Sequence, residues 1–175
     1  MKKILAFGAT SSQNSINKQL ATYAANQFAN TEIEILDLND FEMPIYATDK
    51  ETQSGIPQLA HDFYNKLSTS DLIIISFAEH NGAYTSAFKN IFDWISRING
   101  KTFQNKPMLL MATSPGPRGG STVLDIAKNR FALQAGDIQG VFSLPSFNDN
   151  FSAMGEITNL ELKDQLLETI NLIKF

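Results

Sequence analysis

Three short stretches concentrate the side chains that could do chemistry. The first runs from Gly8 to Asn14 and continues to Ser15 (GATSSQNS), with hydroxyls at Thr10, Ser11, Ser12 and Ser15 and amides at Gln13 and Asn14. Such a stretch feeding a helix suits an anion, because the first N–H groups of a helix lack partners and its dipole favours negative charge. It lacks the Gly-Lys-Ser/Thr of a P-loop and the G-x-G-x-x-G of a dinucleotide fold, so one terminal phosphate is favoured over a pyrophosphate. A plain helix cap is the competing explanation, though four hydroxyls exceed what a cap needs. The second stretch is Glu79, His80, Asn81 and Gly82. The third, Thr113 to Gly120, sets Gly116, Gly119 and Gly120 around Arg118. Glycines let backbone approach a flat ring closely, and they equally serve a tight turn.

The elements that must position these loops are legible from hydrophobic period. Ile4–Phe7, Leu72–Phe77 and Pro107–Ala112 are short apolar runs, as strands buried on both faces of a parallel sheet require. Glu32–Leu38 alternates, which suits a strand nearer an edge, and Gln139–Leu144 is a fifth strand. Helices are predicted over Ser15–Ala29, from Pro57 with Leu59, Phe63 and Leu67 inward, and around Ala87, Ile91 and Ile95. Two more cover Ser121–Gln134, with Gly136 as the stop, and Leu160–Ile173. Strands alternating with helices give an α/β, three-layer, doubly wound sheet. Five strands favour the order 2-1-3-4-5, which makes strands one, three and four neighbours. The loops after those strands are the three chemical ones, so they would line one crevice at the carboxyl edge.

Bulk properties narrow the class. A chain of 175 residues, 43% hydrophobic, suits one domain over residues 1–175. A net charge of −4 gives no basic footprint for nucleic acid. The chain has no cysteine, which removes disulfides and thiol nucleophiles and fits a cytoplasmic protein. Ile4–Phe7 is too short for a signal-peptide core, and no apolar run approaches the roughly 20 residues of a membrane span. Neither His61 nor His80 has a partner at metal-ligand spacing, so no metal site is expected. The connection Asn39–Gly55 carries Phe41, Met43, Ile45 and Tyr46, enough apolar surface to pack onto another surface such as a second subunit.

With those residues in view, the chain resembles the NADPH-dependent FMN reductases, the flavodoxin-like group that includes bacterial chromate/quinone and azo reductases. The family's P-E-Y-N-x-S, spacer, L-K-N-A-I-D-W follows Ala78–Trp94 in order and spacing, with Glu79, Asn81, Lys89, Asn90, Asp93 and Trp94 identical. Its G-S-x-R-x-x-S-x-N aligns with Ala9–Asn17, where Ser15 and Asn17 are identical and Thr10 keeps the hydroxyl. Its S-x-G-x-x-G-G is matched by Ser114, Gly116, Gly119 and Gly120. Four positions depart: Ser12 stands for the family's phosphate-binding Arg, His80 for Tyr, Ala78 for Pro and Ala83 for Ser.

The resemblance implies FMN, with its phosphate at Thr10, Ser12, Ser15, Ile16 and Asn17. It places the flavin ring between Glu79–Gly82 and Ser114–Gly120. NADPH or NADH would supply a hydride for a small acceptor: a quinone, an azo or nitro compound, a metal oxyanion or free flavin. Arg118 would meet the NADPH phosphates or the reduced ring, and no side chain need act as acid or base. Lys89–Trp94 would build scaffold, and the apolar surplus at Phe88, Phe92 and Ile95 would pair two chains as a homodimer, or as part of a dimer of dimers. The competing functions are a flavodoxin-type electron carrier and a flavin-binding regulatory module without turnover. A receiver domain would need an acidic pocket where Gly8 and Ala9 stand.

Overall fold

In the computed structural model, which describes residues 1–175, five parallel strands form one sheet. They are β1 (Lys2–Ala9), β2 (Thr31–Leu36), β3 (Leu72–Phe77), β4 (Lys106–Thr113) and β5 (Gly136–Leu144). The sheet order is β2-β1-β3-β4-β5, as expected. Ile4 pairs with Leu72 and Ile75 with Leu110, which sets the ends of β1, β3 and β4 side by side.

Alternation along the central strands divides the interior into two cores. Leu5, Phe7, Ile73, Ile75 and Leu110 face α3 (Gln58–Thr69), α4 (Ser86–Ile98) and α5 (Ser121–Ala132). Ile4, Ala6, Ile74, Leu109 and Met111 face α1 (Ile16–Ala25) and α7 (Leu160–Leu172). Burying each such Leu, Ile, Met or Phe side chain contributes about 1.5–3 kcal/mol, which is why central strands this apolar are stable here. Gly8 lets α1 cross close: a Cβ there would lie 2.6 Å from the Lys18 nitrogen.

Several boundaries differ from expectation. α1 ends at Ala25, where Asn26 caps it, and Phe28 turns back against Phe175 at 5.5 Å. The connection after β2 holds a 3-10 turn, Leu38–Phe41, and a short helix α2, Thr48–Ser54. α2 buries no residue, so it left no apolar period to read. A second short helix, α6, spans Phe147–Asn150. Gly136 does not stop α5. Ala135 takes the left-handed conformation (φ 60°), and Gly136 opens β5, where a Cβ would sit 2.9 Å from the Met108 sulfur.

The apolar surplus on α4 is covered within the chain. Phe88, Ile91, Phe92, Trp94 and Ile95 are each at most 5% exposed. Phe41 and Met43 of the connection join the same core, and Tyr46 meets the Trp94 ring edge-on at 5.0 Å. The Asn90 amide donates to the carbonyls of Met43 and Pro44 and accepts the Tyr46 N–H, and Trp94 Nε1 donates to the Pro44 carbonyl at 2.8 Å. The apolar connection thus packs onto its own α4, and the face read as a pairing surface is interior.

Candidate functional site

The three loops meet at the carboxyl edge as the strand order requires. A pocket of about 210 Å³ is lined by Thr10, Ser12, Ser15, Ile16 and Asn17 of the first loop and helix. Ala78, Glu79 and His80 close it from the second loop, and Thr113, Ser114 and Pro115 from the third. Of the residues singled out from sequence, Asn81, Gly82, Gly116, Arg118, Gly119 and Gly120 lie outside this lining. Asn14, Ala78, Thr113 and Pro115 line it without having been named as ligands. Their signal was adjacency in chain to named residues, which says nothing of which side a residue faces.

The first loop is a donor-rich turn. Ser15 caps α1, its hydroxyl oxygen accepting the Lys18 N–H at 3.0 Å. The Ser12 N–H donates to the Thr10 hydroxyl oxygen at 3.2 Å. Both hydroxyls keep their own protons for a ligand. The N–H groups of Ile16 and Asn17, in the first turn of α1, have no acceptor in the protein. No lysine or arginine lines the pocket.

The Asn17 side chain does something other than expected. It is buried, and its amide oxygen accepts the Ser76 hydroxyl at 2.7 Å and the Thr113 N–H at 3.0 Å. Its amide nitrogen donates to the Thr113 carbonyl at 3.1 Å. This one side chain ties α1 to β3 and β4 and leaves only the backbone N–H of Asn17 free. Thr85 makes a similar tie. It caps α4 by accepting the Phe88 N–H and donates to the Ala9 carbonyl at 2.9 Å.

Glu79 is likewise engaged. Its carboxylate accepts the Val123 N–H at 3.1 Å, in the first turn of α5. The cap residue of α5 is Gly120, at φ 74°, which has no side chain to do this. Glu79 therefore caps a helix from another loop, and its negative charge suits that helix end. His80–Ala83 form a two-residue hairpin with N–H to carbonyl bonds of 3.0 and 3.1 Å in both directions. Its central residues, Asn81 (φ 53°) and Gly82 (φ 76°), have the positive φ that a type I′ turn needs. His80 is exposed at the pocket mouth.

The glycines of the third loop answer to protein contacts. A Cβ on Gly119 would lie 2.4 Å from the Ser143 hydroxyl and 2.9 Å from the Pro145 nitrogen. One on Gly120 would lie 3.0 Å from the Ala112 Cβ. The Gly119 N–H is spent on the Gly116 carbonyl at 3.2 Å, whereas the Gly120 N–H has no acceptor in the protein. The Gly116 carbonyl also takes the Ser146 N–H at 3.0 Å, fastening the loop to the segment after β5. Arg118 is exposed and makes no ion pair or hydrogen bond through its guanidinium.

A parallel sheet in this order with an anion-suited pocket at its switch point defines a flavodoxin-like α/β protein. Within that class, the chain belongs to the NADPH-dependent FMN reductase family, which residues 2–149 match. It is an oxidoreductase with FMN as cofactor and NAD(P)H as reductant. An uncharacterized protein of Mycoplasma pneumoniae is 26% identical over 155 residues, covering 86% of this chain and 91% of that protein. The quinone reductase of Escherichia coli K12 is 28% identical over 80 residues, covering 46% of this chain and 43% of that enzyme, so the match spans less than half of either. Among solved structures, FerB, a flavoenzyme NAD(P)H:(acceptor) oxidoreductase from Paracoccus denitrificans, superposes with a TM-score of 0.76 at 20% identity. That fit covers 98% of this chain and 97% of FerB. No helix is long and apolar enough to cross a membrane.

Proposed function

We propose that this chain passes a hydride from NAD(P)H, through FMN, to a small acceptor such as a quinone, an azo or nitro compound, a metal oxyanion or free flavin. The observation that carries this reading is the pocket in which the first loop's free hydroxyls and N–H groups meet both of the other loops. FMN, when bound, supplies the hydride acceptor and donor chemistry.

The chain's residues bind and orient. Thr10, Ser12 and Ser15 donate hydroxyl protons to the phosphate, and Ile16 and Asn17 donate N–H groups. The donor set fits a phosphate without any cation, replacing the family's Arg by neutral hydrogen bonds. The His80–Gly82 hairpin and Ser114 border the flavin ring. Glu79, Gly116, Gly119 and Gly120 hold the two bordering loops in place, and the Gly120 N–H is free to meet negative charge. Arg118, exposed and unpaired, meets the phosphates of NAD(P)H. The chain acts as one domain over residues 1–175 in the cytoplasm. Homodimerisation rests on the family resemblance, since the α4 face that suggested it is buried; sedimentation of the purified chain decides it.

The test is spectral. The protein as purified or after FMN addition is expected to be yellow and to bleach when NADPH or NADH is added without air. Yellow protein that neither nucleotide bleaches makes it a carrier or sensor. Failure to take up FMN overturns the reading altogether.

A further inference from the structure

We infer that a groove along α1 holds the adenosine half of NAD(P)H and gains nothing from a 2′-phosphate, so that NADH serves this chain at least as well as NADPH. This rests on the reading of the crevice as the FMN site and of NAD(P)H as the hydride source. Hydride transfer requires the nicotinamide to lie on the flavin ring, and the rest of the dinucleotide then needs a depression adjoining the crevice. The groove, about 660 Å³, lies between α1 and the segment Phe151–Glu156. Asn14 and Ser15 line both it and the crevice pocket, so the two adjoin at the N-terminus of α1. Its volume lies within the range of small-ligand sites.

The groove's chemistry suits a purine. The side-chain amides of Gln13, Gln19 and Asn26 line it and make no hydrogen bond within the protein. Asparagine and glutamine amides match the paired donor and acceptor on the edge of adenine. Tyr23 and Phe151, edge to face at 5.8 Å, form the apolar wall. Tyr23 is 8% exposed, and its hydroxyl has no partner in the protein. A polar edge seated in the groove supplies one after a small shift of the wall. A smaller depression of about 310 Å³ also touches the first loop, at Ser11, but its amides are spent. Asn39 there donates to Asp37, and Asn90 is bound to Met43, Pro44 and Tyr46.

Charge decides between the two nucleotides. The 2′-phosphate of NADPH is a monoester with about 1.5–2 negative charges at neutral pH. It binds well only beside a free cation, and the groove offers none. Lys18 is held by Asp37 at 2.7 Å, and Lys163 of α7 by the groove residue Glu156 at 3.6 Å. Arg118 serves the bridging phosphates, which both nucleotides carry, and so does not tell them apart.

Calorimetric titration of the FMN-loaded protein with ADP-ribose and with 2′-phospho-ADP-ribose, which lack the nicotinamide, tests this. ADP-ribose is expected to bind at least as tightly as its 2′-phosphate, and the KM for NADH to be no higher than that for NADPH. Gln19→Trp, at an exposed mid-helix position, fills the groove. It is expected to weaken ADP-ribose and raise the KM for NADH at least tenfold while changing FMN affinity less than twofold. Glu156→Gln releases Lys163 and is expected to tighten 2′-phospho-ADP-ribose several-fold with ADP-ribose little changed. Tighter binding of 2′-phospho-ADP-ribose by the wild-type protein, an unmoved ADP-ribose affinity in Gln19→Trp, or no gain in Glu156→Gln overturns the inference and leaves the FMN and hydride readings standing. FMN-loaded protein that neither NADH nor NADPH bleaches sinks the hydride reading, and this inference with it.

Discussion

The Glu79 carboxylate accepts the N–H of Val123 at 3.1 Å, across 44 residues of chain. The bond joins the loop after β3, which lines the pocket, to the first turn of the helix after β4. Removing a helix cap costs about 0.5–2 kcal/mol. Glu79→Ala is expected to lower stability by about 1 kcal/mol and to weaken FMN binding, because the gap between the loops is no longer set. Glu79→Gln keeps an acceptor oxygen and is expected to restore most of both. Thermal melts and FMN titrations of the two variants check this; equal losses would remove the capping role.

Asn17 is the next joint. In Asn17→Ala, the Ser76 hydroxyl and both backbone groups of Thr113 lose a buried partner. Each buried polar group left unpaired costs about 1–3 kcal/mol, so urea denaturation should show a loss of at least about 2 kcal/mol. Asn17→Asp should fare no better, since a carboxylate cannot donate to the Thr113 carbonyl. A near-neutral effect would show that water replaces the amide.

The cation-free pocket, proposed as the phosphate site, makes a prediction of opposite sign. Ser12→Arg should tighten FMN about tenfold, or about 1.4 kcal/mol, through a charge-assisted bond. The gain should shrink as salt is raised. Dissociation constants at two ionic strengths decide it, and no gain at low salt would place the phosphate elsewhere.

Arg118 is exposed and unpaired in the loop after β4. Arg118→Ala should raise the KM for NADPH several-fold with kcat little changed, the pattern of a group that binds reactant and transition state alike. An unmoved KM removes Arg118 from that role.

Lys18 beside Asp37 holds that carboxyl below its ordinary value of 3.8, with the Asn39 N–H helping. A carboxyl whose folded pKa is depressed adds stability above its unfolded pKa and loses it as pH falls through the folded one. The contribution is thus full at neutral pH and fades below about pH 4. Asp37→Asn should lower the thermal midpoint near pH 7, and the gap to wild type should close in acid. A gap that does not narrow as the pH is lowered through the acid range would assign the effect to packing.

Much of this protein was determined by its sequence alone. The apolar runs Leu72–Phe77 and Pro107–Ala112 read as central strands, because runs this short bounded by polar loops suit a strand buried on both faces. Strand count then placed three polar loops together, and the motifs from Ala78 to Trp94 and from Ser114 to Gly120 named the family. Roles within those motifs were decided by tertiary structure. Asn17, Glu79, Gly119 and Gly120 are ligand residues by the family resemblance, yet the fold uses their side chains, or the lack of one, to join loops and helices. Which of two partners an amide, carboxylate or bare Cα faces depends on elements far away in chain: Thr113, Val123 and Ser143. The same holds for α4, whose apolar surplus reads as a pairing face until Phe41, Met43 and Tyr46 fold over it. Apolar period reports how much surface a helix must bury, and only the packed chain says against what.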